Sequence, residues 1–303
     1  MRVVVSGSSG LIGRALVEQV RRQGHEVVTL VRQAAGQDEV RWDPESGWID
    51  AGALERADAV VNLSGAGIGD RRWSAARRNV IVSSRVVSTE LLARTAAGLD
   101  HPPEVLLNAS AVGYYGTRGG DAELTEDSPA GDGYLADLCV AWENATEAAE
   151  QAGVRVIRWR SGVVLSPSGG ALARMLPLFR LGLGGVLGTG AQWLSWISLY
   201  DEVHAMLHAL QQTDLRGPVN GCAPNPVTNR EFTRTLGHLL HRPTIAAVPR
   251  VVLEAVLGRE LAAEVPLASQ RAVPARLTAA GYHFEHPTVA EALEAAVAAP
   301  RPD

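Results

Sequence analysis

The segment GDGYLADLCVAWE, residues 131–143, contains a tyrosine that could exchange a proton with a bound ligand. A tyrosine hydroxyl has an ordinary pKa of about 10, and a lysine ammonium close by lowers that pKa enough for acid–base work near neutral pH. In the spacing Tyr-x-x-x-Lys the two side chains share one face of a helix. Here Tyr134 is followed at that distance by Leu138, and all 28 basic residues are arginines. Tyr134 is therefore a candidate acid without its cation, or a residue that lines a pocket or packs in the helix.

A second way to align the same segment with the Tyr-x-x-x-Lys spacing is less favourable for catalysis. Alignment on the pair Trp142-Glu143 puts Leu135 and Cys139 at the tyrosine and lysine places. Neither side chain replaces the proton chemistry of that pair.

Three other hydroxyl groups, in the stretch NASAVGYYG, could take part in the same chemistry. Ser110 follows an apolar run and could polarise a substrate oxygen, or it could only bond to the backbone at a strand end. Tyr114 and Tyr115 are expected to face the mouth of the pocket, with Tyr115 the better candidate. We expect the proton to come from Tyr134, Tyr115 or water.

The stretch VVVSGSSGLIG, residues 3–13, is a strong sign of nucleotide binding because its glycines directly follow a strand and open a helix. Glycine permits a tight turn and the close approach of backbone to a pyrophosphate. The helix N-terminus adds free N–H groups and partial positive charge. The sequence predicts a dinucleotide cradle made of Gly7, Ser8, Ser9, Gly10, Leu11, Ile12 and Gly13.

Two later segments bear on the identity of the dinucleotide. The second strand ends in LVRQ, where an acidic residue would favour NAD through the adenosine 2′-hydroxyl. Arg32 stands there instead, and a guanidinium pairs well with the 2′-phosphate of NADP, unless this arginine is only a solvated surface residue. Arg41 is a weaker candidate for a second phosphate contact. In DAVVNLSGAG, Leu63, Ser64 and Gly65 could lie against the adenosine, or form a plain strand-to-loop transition. Ser110 is also predicted to contact the cofactor.

A long helix predicted over residues 74–97 offers a cation in place of the missing lysine. Arg78 and Arg85 lie two helical turns apart and so share a face. Arg85 could contact the nicotinamide ribose or a phosphate, but its guanidinium stays protonated and cannot relay protons. The alternative is an ion pair on the helix surface.

An alternation of strands and helices positions these residues. Apolar runs and helical periodicity predict an α/β, Rossmann-type doubly wound parallel sheet over residues 1–162. Glycine and proline become frequent afterwards, and residues 163–248 are predicted to form a smaller C-terminal substrate lobe over the carboxyl ends of the strands. Residues 249–303 are predicted to be a helical appended domain.

The substrate lobe contains two tryptophans and two asparagines in suggestive places. Trp193 and Trp196 could stack on a ring, although a core position is favoured. Asn225 and Asn229 follow in APNPVTNREF. The eight histidines are scattered, and no cluster predicts a metal site.

Composition excludes several classes of partner. A net charge of −5 over 303 residues argues against a nucleic-acid surface. No apolar run reaches the roughly 18 residues of a membrane span. Cys139 and Cys222 are expected to be reduced thiols, and no signal peptide is recognised at the N-terminus, so we expect a cytoplasmic protein.

Several motifs together resemble the extended short-chain dehydrogenase/reductase family. The similarity is greatest to its NAD-dependent epimerase/dehydratase-like branch, whose members carry a C-terminal domain of unknown function. The motifs are GSSGLIG, VNLSGAGI, RRW, SSR, NASAVGYYG, RSGVVLS, LGTGAQWLSWI and NGCAPNPVTNREF, and they span nearly the whole chain. The resemblance implies a nicotinamide cofactor, which Arg32 predicts to be NADP. It also implies a small-molecule substrate held by the second lobe, and a homodimer formed through the helices over 74–97 and 135–151.

Two functions are compatible with this sequence. One is an NADP-dependent oxidoreductase or epimerase acting on an unidentified carbonyl, hydroxyl or nucleotide-sugar-like compound. The other is an NADP(H)-binding sensor or scaffold with little or no catalysis, which the missing lysine favours.

Overall fold

The computed structural model describes residues 1–33, 36–117 and 120–298. The strands are β1 (Arg2–Ser6), β2 (Glu26–Val31), β3 (Glu39–Asp43), β4 (Trp48–Ile49), β5 (Ala59–Asn62), β6 (Val105–Ala111), β7 (Arg155–Ser161), β8 (Val163–Leu165), β9 (Val186–Leu187), β10 (Trp193–Leu194), β11 (Trp196–Ser198), β12 (Gly217–Gly221), β13 (Val227–Thr228) and β14 (Ala247–Val248). The helices are α1 (Leu11–Arg22), α2 (Ala75–Ala97), α3 (Tyr134–Asn144), α4 (Glu147–Gln151), α5 (Gly170–Arg180), α6 (Leu199–Gln211), α7 (Asn229–Leu239), α8 (Arg250–Leu257), α9 (Arg259–Glu264), α10 (Ala275–Ala279) and α11 (Val289–Ala298).

The central sheet has the strand order β12-β7-β6-β5-β1-β2-β3-β4. All its neighbouring strands are parallel except β3 and β4, which are antiparallel. The chain winds outward from β1 in both directions, so the predicted doubly wound α/β fold is confirmed. The carboxyl ends of β1, β5, β6 and β7 meet at one edge, where ligands of such sheets bind.

The apolar strands are buried on both faces of the sheet. Val3 and Val5 pack into a core with α1 and α6, whereas Val4 points to the opposite core with α2 and α4. Because alternate residues of a strand face opposite sides, an uninterrupted valine run fits a sheet that is covered by helices on both faces.

The second half of the chain contributes to the main sheet and also builds a third core. β12 pairs with β7 at one edge of the sheet. The third core joins α5, α7 and α11 around Trp196. Leu277, from α10, packs into the main core instead. The division into residues 1–162, 163–248 and 249–303 stays a prediction. Side chains from all three segments pack together in the main core.

A break interrupts the helix that was expected over 135–151. α3 ends at Asn144 and α4 begins at Glu147. At the break the Thr146 hydroxyl donates to the Glu143 carbonyl over 2.7 Å. A short polar side chain that bonds to a local carbonyl competes with helix continuation.

No helix in the described part of the chain is both long and apolar enough to span a bilayer. α2 is the longest, with 23 residues, and it carries several arginines.

Candidate functional site

The glycine-rich loop after β1 and the first turn of α1 tolerate no side chain at Gly7 and Gly13. Gly7 has a φ of +70°, and a Cβ there would lie 2.5 Å from the Leu63 carbonyl carbon. A Cβ on Gly13 would lie 2.2 Å from the Gly7 carbonyl oxygen. At Gly10 the same construction meets only the Gly7 oxygen, at 3.3 Å. Gly7 and Gly13 therefore keep the turn tight, and Gly10 keeps the exposed side of the loop clear.

A cleft of about 450 Å³ extends from this loop to the carboxyl ends of β6 and β7. Of the residues predicted to bind cofactor, those that line it are Gly7, Gly10, Leu11, Ile12, Gly13, Leu63, Arg85 and Ser110. Its wall does not include Ser8, Ser9, Ser64 and Gly65. The three serines adjoin lining residues in the chain, and a Cβ on Gly65 would lie 2.9 Å from Arg85 Cζ. Arg32 lies exposed immediately after β2. Arg41, which was the weaker phosphate candidate, instead lies over the Trp48 ring at 5.8 Å.

Arg85 is a buried cation in the cleft wall. Its Nη1 donates to the carbonyls of Ala66 and Ile81, at 2.9 and 3.1 Å, and its guanidinium lies 5.0 Å from the centre of a Trp142 ring. Burial lowers the pKa of Arg85 to about 10, so it remains charged at neutral pH. Arg85 forms no ion pair with a carboxylate of the described residues. It is therefore not the surface ion pair that was the alternative interpretation.

Ser110 lies in the cleft wall, but its proton is already donated. Ser110 Oγ donates to Glu143 Oε1 over 2.7 Å. The buried Arg160 forms two hydrogen bonds to the same carboxylate, at 2.8 and 2.9 Å. Because a serine has one hydroxyl proton, Ser110 presents lone pairs to the cleft. To polarise a substrate oxygen by donating to it, Ser110 would first have to release its hydrogen bond to Glu143.

Tyr115 is buried in the protein and does not face the pocket mouth, so that expectation is wrong. Its side chain is 2% exposed, and its hydroxyl accepts from Arg160 Nη1 at 3.0 Å. The hydroxyl also lies 2.7 Å from Asn220 Oδ1. Burial raises the pKa of Tyr115 to about 12. Its neighbour Tyr114 has its ring 3.4 Å from the Arg160 guanidinium.

Tyr134 also lies outside the cleft wall. Its hydroxyl donates to the Arg78 carbonyl over 3.2 Å, and its ring packs edge-on against Trp73. Burial raises the pKa of Tyr134, and the Arg85 and Arg78 charges offset only part of that effect. Nothing in this arrangement prepares Tyr134 for proton transfer.

The face of α3 that lines the cleft shows which of the two alignments fits the structure, the one on Tyr134 or the one on Trp142-Glu143. This face consists of Leu135, Leu138, Cys139 and Trp142. The structure thus favours alignment on Trp142-Glu143, which leaves Leu135 and Cys139 at the tyrosine and lysine places. Cys139 is no substitute base, because burial raises its pKa to about 12.

One polar pair in this region was missed from the sequence. Ser161, at the end of β7, lines the cleft and donates to Glu202 Oε1 over 2.7 Å. Glu202 is completely buried on α6 and also accepts from the Trp159 indole at 3.1 Å. The one available signal was the acidic pair Asp201-Glu202 inside the apolar stretch WISLYDEVHAML.

The aromatic and asparagine residues of the second half do not line this cleft. Trp196 is fully buried in the core, as favoured, and its indole donates to the Asn225 carbonyl. Trp193 instead donates to Asp121 near the surface and carries Arg271 over its ring. Over residues 1–33, 36–117 and 120–298, no group of three or more His, Cys, Asp or Glu side chains is arranged to hold a metal.

Comparison with known proteins gives matches along nearly the whole chain. Residues 3–220 match the model of the NAD dependent epimerase/dehydratase family, and residues 248–296 match a domain of unknown function, DUF1731. Epimerase family protein Mb2239 of Mycobacterium bovis is 50% identical over 299 residues, which cover 98% of each chain. The chloroplastic SDR39U1 homolog of Arabidopsis thaliana is 38% identical, over 97% of this chain and 86% of that one. The crystal structure of human epimerase family protein SDR39U1 (isoform 2) with NADPH has a TM-score of 0.89 and 37% identity, over 98% of this chain and 99% of that one.

Proposed function

We propose, since this chain belongs to the NAD dependent epimerase/dehydratase family, that it binds NADP(H) in the cleft and uses it on a small carbonyl or hydroxyl compound. The chemistry would be oxidoreduction or epimerisation, with the substrate unidentified and the Tyr-x-x-x-Lys pair absent. A nucleotide-sugar-like compound belongs to the same substrate class.

The observation that carries the proposal is the continuity of the cleft. It runs from the glycine loop, where the α1 N-terminus offers backbone N–H groups to phosphates, to hydroxyl groups at the ends of β6 and β7. Arg85 adds a buried positive charge to its wall. A dinucleotide laid across the strands would place its pyrophosphate at Gly10 and its nicotinamide near Ser110 and Ser161. The human relative crystallised with NADPH supports the choice of cofactor.

A second function is favoured by the face of α3. Leu135 and Cys139 occupy the places of the proton-transfer pair, and the Tyr115 and Tyr134 hydroxyls are engaged elsewhere. A protein of this kind could hold NADP(H) as a sensor or scaffold and signal through a partner.

Calorimetric titration with NADPH and NADH, followed by NADPH oxidation with a panel of aldehydes, ketones and nucleotide sugars, distinguishes these functions. Binding with turnover supports the enzyme. Binding without turnover on the whole panel supports the sensor, and failure to bind either nucleotide refutes both.

Replacing Arg32 tests the preference for NADP. Arg32 is exposed, so its guanidinium could reach a 2′-phosphate, and charged hydrogen bonds contribute about 1.5–3 kcal/mol. Arg32→Ala should therefore weaken NADPH binding roughly 10- to 100-fold and leave NADH binding unchanged. Gln33→Ala, at the exposed neighbouring position, is the matched control. Equal affinities of the wild type for NADPH and NADH would refute the role given to Arg32.

Replacing Arg85 tests the buried cation. Arg85→Ala removes a charge from the cleft wall and should weaken NADPH binding by roughly tenfold or more in the same titration. Arg94→Ala removes an exposed arginine from the last turn of the same helix and should have no effect. If both variants bind like the wild type, Arg85 does not contact the cofactor.

The proposal includes a cytoplasmic homodimer without nucleic-acid partners. Both cysteines are buried free thiols, which suits a reducing compartment. Val80 and Val87 are exposed two turns apart on α2, one of the two regions expected at the dimer interface. The mass in solution, measured by light scattering, tests the dimer.

A further inference from the structure

Two serines in the cleft wall each donate a hydrogen bond to a buried glutamate, but the two glutamates differ in charge balance. Glu143, the partner of Ser110, is held by both nitrogens of the Arg160 fork. Glu202, the partner of Ser161, forms no ion pair in the described part of the chain, and its Oε2 has no hydrogen-bond partner. Glu143 is therefore paired with a cation, whereas Glu202 is not paired with one among the described residues.

Glu202 is placed to gain and lose a proton near neutral pH. Removing a carboxylate from water without a cation disfavours its charged form, and burial raises the pKa of Glu202 to about 7. The hydrogen bonds from Ser161 and Trp159 favour the charged form but offset only part of this effect.

The titratable groups around Glu202 come from its own helix, from the end of β12 and from the segment that follows α10. They are Asp201, Cys222, Tyr282 and, beside Asp201, His286. Burial raises the pKa of Cys222 and of Tyr282 well above neutral pH. Asp201 accepts hydrogen bonds from Tyr282, Ser198 and two backbone amides. None of these contacts supplies a cation to Glu202.

We propose that Ser161 and Glu202 form the proton-exchanging pair of the cleft, in place of the absent tyrosine and lysine. This inference rests on the proposed function. Ser161 would touch the substrate oxygen, and Glu202 would act through Ser161 as a positioning residue that stores the proton. The pair serves a substrate whose hydroxyl group is oxidised, or whose carbonyl group is reduced, at the ends of β6 and β7.

The proton balance is complete within the pair. When bound, the nicotinamide supplies the hydride acceptor or donor. In oxidation the substrate hydroxyl gives its proton to Ser161 Oγ, and Ser161 gives its own proton to Glu202 Oε1. In reduction both transfers reverse, and the proton of Glu202 ends on the new hydroxyl group. No further oxidant or reductant is required.

The test measures protons exchanged on cofactor binding, by calorimetry at pH 6–8 in buffers of different ionisation enthalpy. Oxidised nicotinamide carries a positive charge and should lower the pKa of nearby Glu202, whereas reduced nicotinamide is uncharged. Wild type should therefore release a larger fraction of a proton on binding NADP⁺ than on binding NADPH. The 2′-phosphate is common to both ligands, so its own proton exchange largely cancels from the comparison.

Glu202→Gln should abolish this difference between the ligands while keeping an acceptor oxygen for Ser161 and Trp159. Glu45→Gln, at an exposed position, should retain it. Ser161→Ala removes a hydrogen bond that favours ionised Glu202, so it should raise the pKa of Glu202. The pH at which NADP⁺ and NADPH differ most in the protons they release should then be higher than in wild type. This variant also keeps the test decisive if Glu202→Gln does not fold.

The outcomes separate the inference from the function on which it rests. Binding of both ligands with the same proton difference in wild type and Glu202→Gln overturns the inference alone. An unchanged pH profile in Ser161→Ala overturns the part given to Ser161. Failure of wild type to bind either ligand overturns the proposed function and the inference together.

Discussion

Gly10→Val is expected to abolish NADPH binding while the protein stays folded. Gly10 precedes α1 with φ −73° and ψ 173°, an extended conformation that any residue adopts. A Cβ there would meet only the Gly7 oxygen, at 3.3 Å, so a valine side chain would point into the space over the loop. That space is where the pyrophosphate must approach the backbone. The measurement is titration with NADPH.

The control for this variant is its stability. Replacing glycine by valine at a helix N-cap costs about 1 kcal/mol, so the variant should unfold cooperatively with a slightly lower midpoint. Gly13→Ala should behave differently, because its Cβ would lie 2.2 Å from the Gly7 oxygen and distort the loop itself. Wild-type affinity for NADPH in folded Gly10→Val would show that the cofactor does not lie on this loop.

Glu143→Ala is expected to lower the free energy of unfolding by about 3–5 kcal/mol, which is the usual cost of leaving a buried charge without its partner. Arg160 has 3% of its side chain exposed and Glu143 has 8%, and they share two hydrogen bonds. Ser110 would lose its acceptor as well. Urea denaturation followed by circular dichroism measures the change.

Glu150→Ala is the matched control, because Glu150 also pairs with an arginine, Arg158. The Glu150 side chain is 47% exposed, and exposed pairs contribute about 0–1 kcal/mol. Similar losses in the two variants would show that the Glu143–Arg160 pair is not needed for stability. Glu143→Gln, which keeps an acceptor for Ser110, separates loss of charge from loss of that hydrogen bond.

The doubly wound sheet and the cradle loop could both be predicted from sequence because their signals are local. Valine runs such as residues 3–5 indicate buried parallel strands, and the three glycines lie within residues 7–13, which form the loop after β1 and the start of α1. β12 was missed, since its sequence GPVNG contains two glycines and a proline and is typical of a turn. Pairing with β7 over five residues overrides that local preference.

The sequence by itself determined that no lysine could assist a catalytic tyrosine, because the chain contains no lysine and no fold can supply one. It also determined the likeness of the glycine loop to a dinucleotide cradle. Tertiary structure alone decided which side chains face the cleft. On a helix each residue turns by about 100°, so Tyr134 and Leu135 point in different directions, and only the docking of α3 selects Leu135. The pairs Ser110–Glu143 and Ser161–Glu202 join residues 33 and 41 positions apart. No local pattern encodes such contacts, because they arise when separate strands and helices pack together.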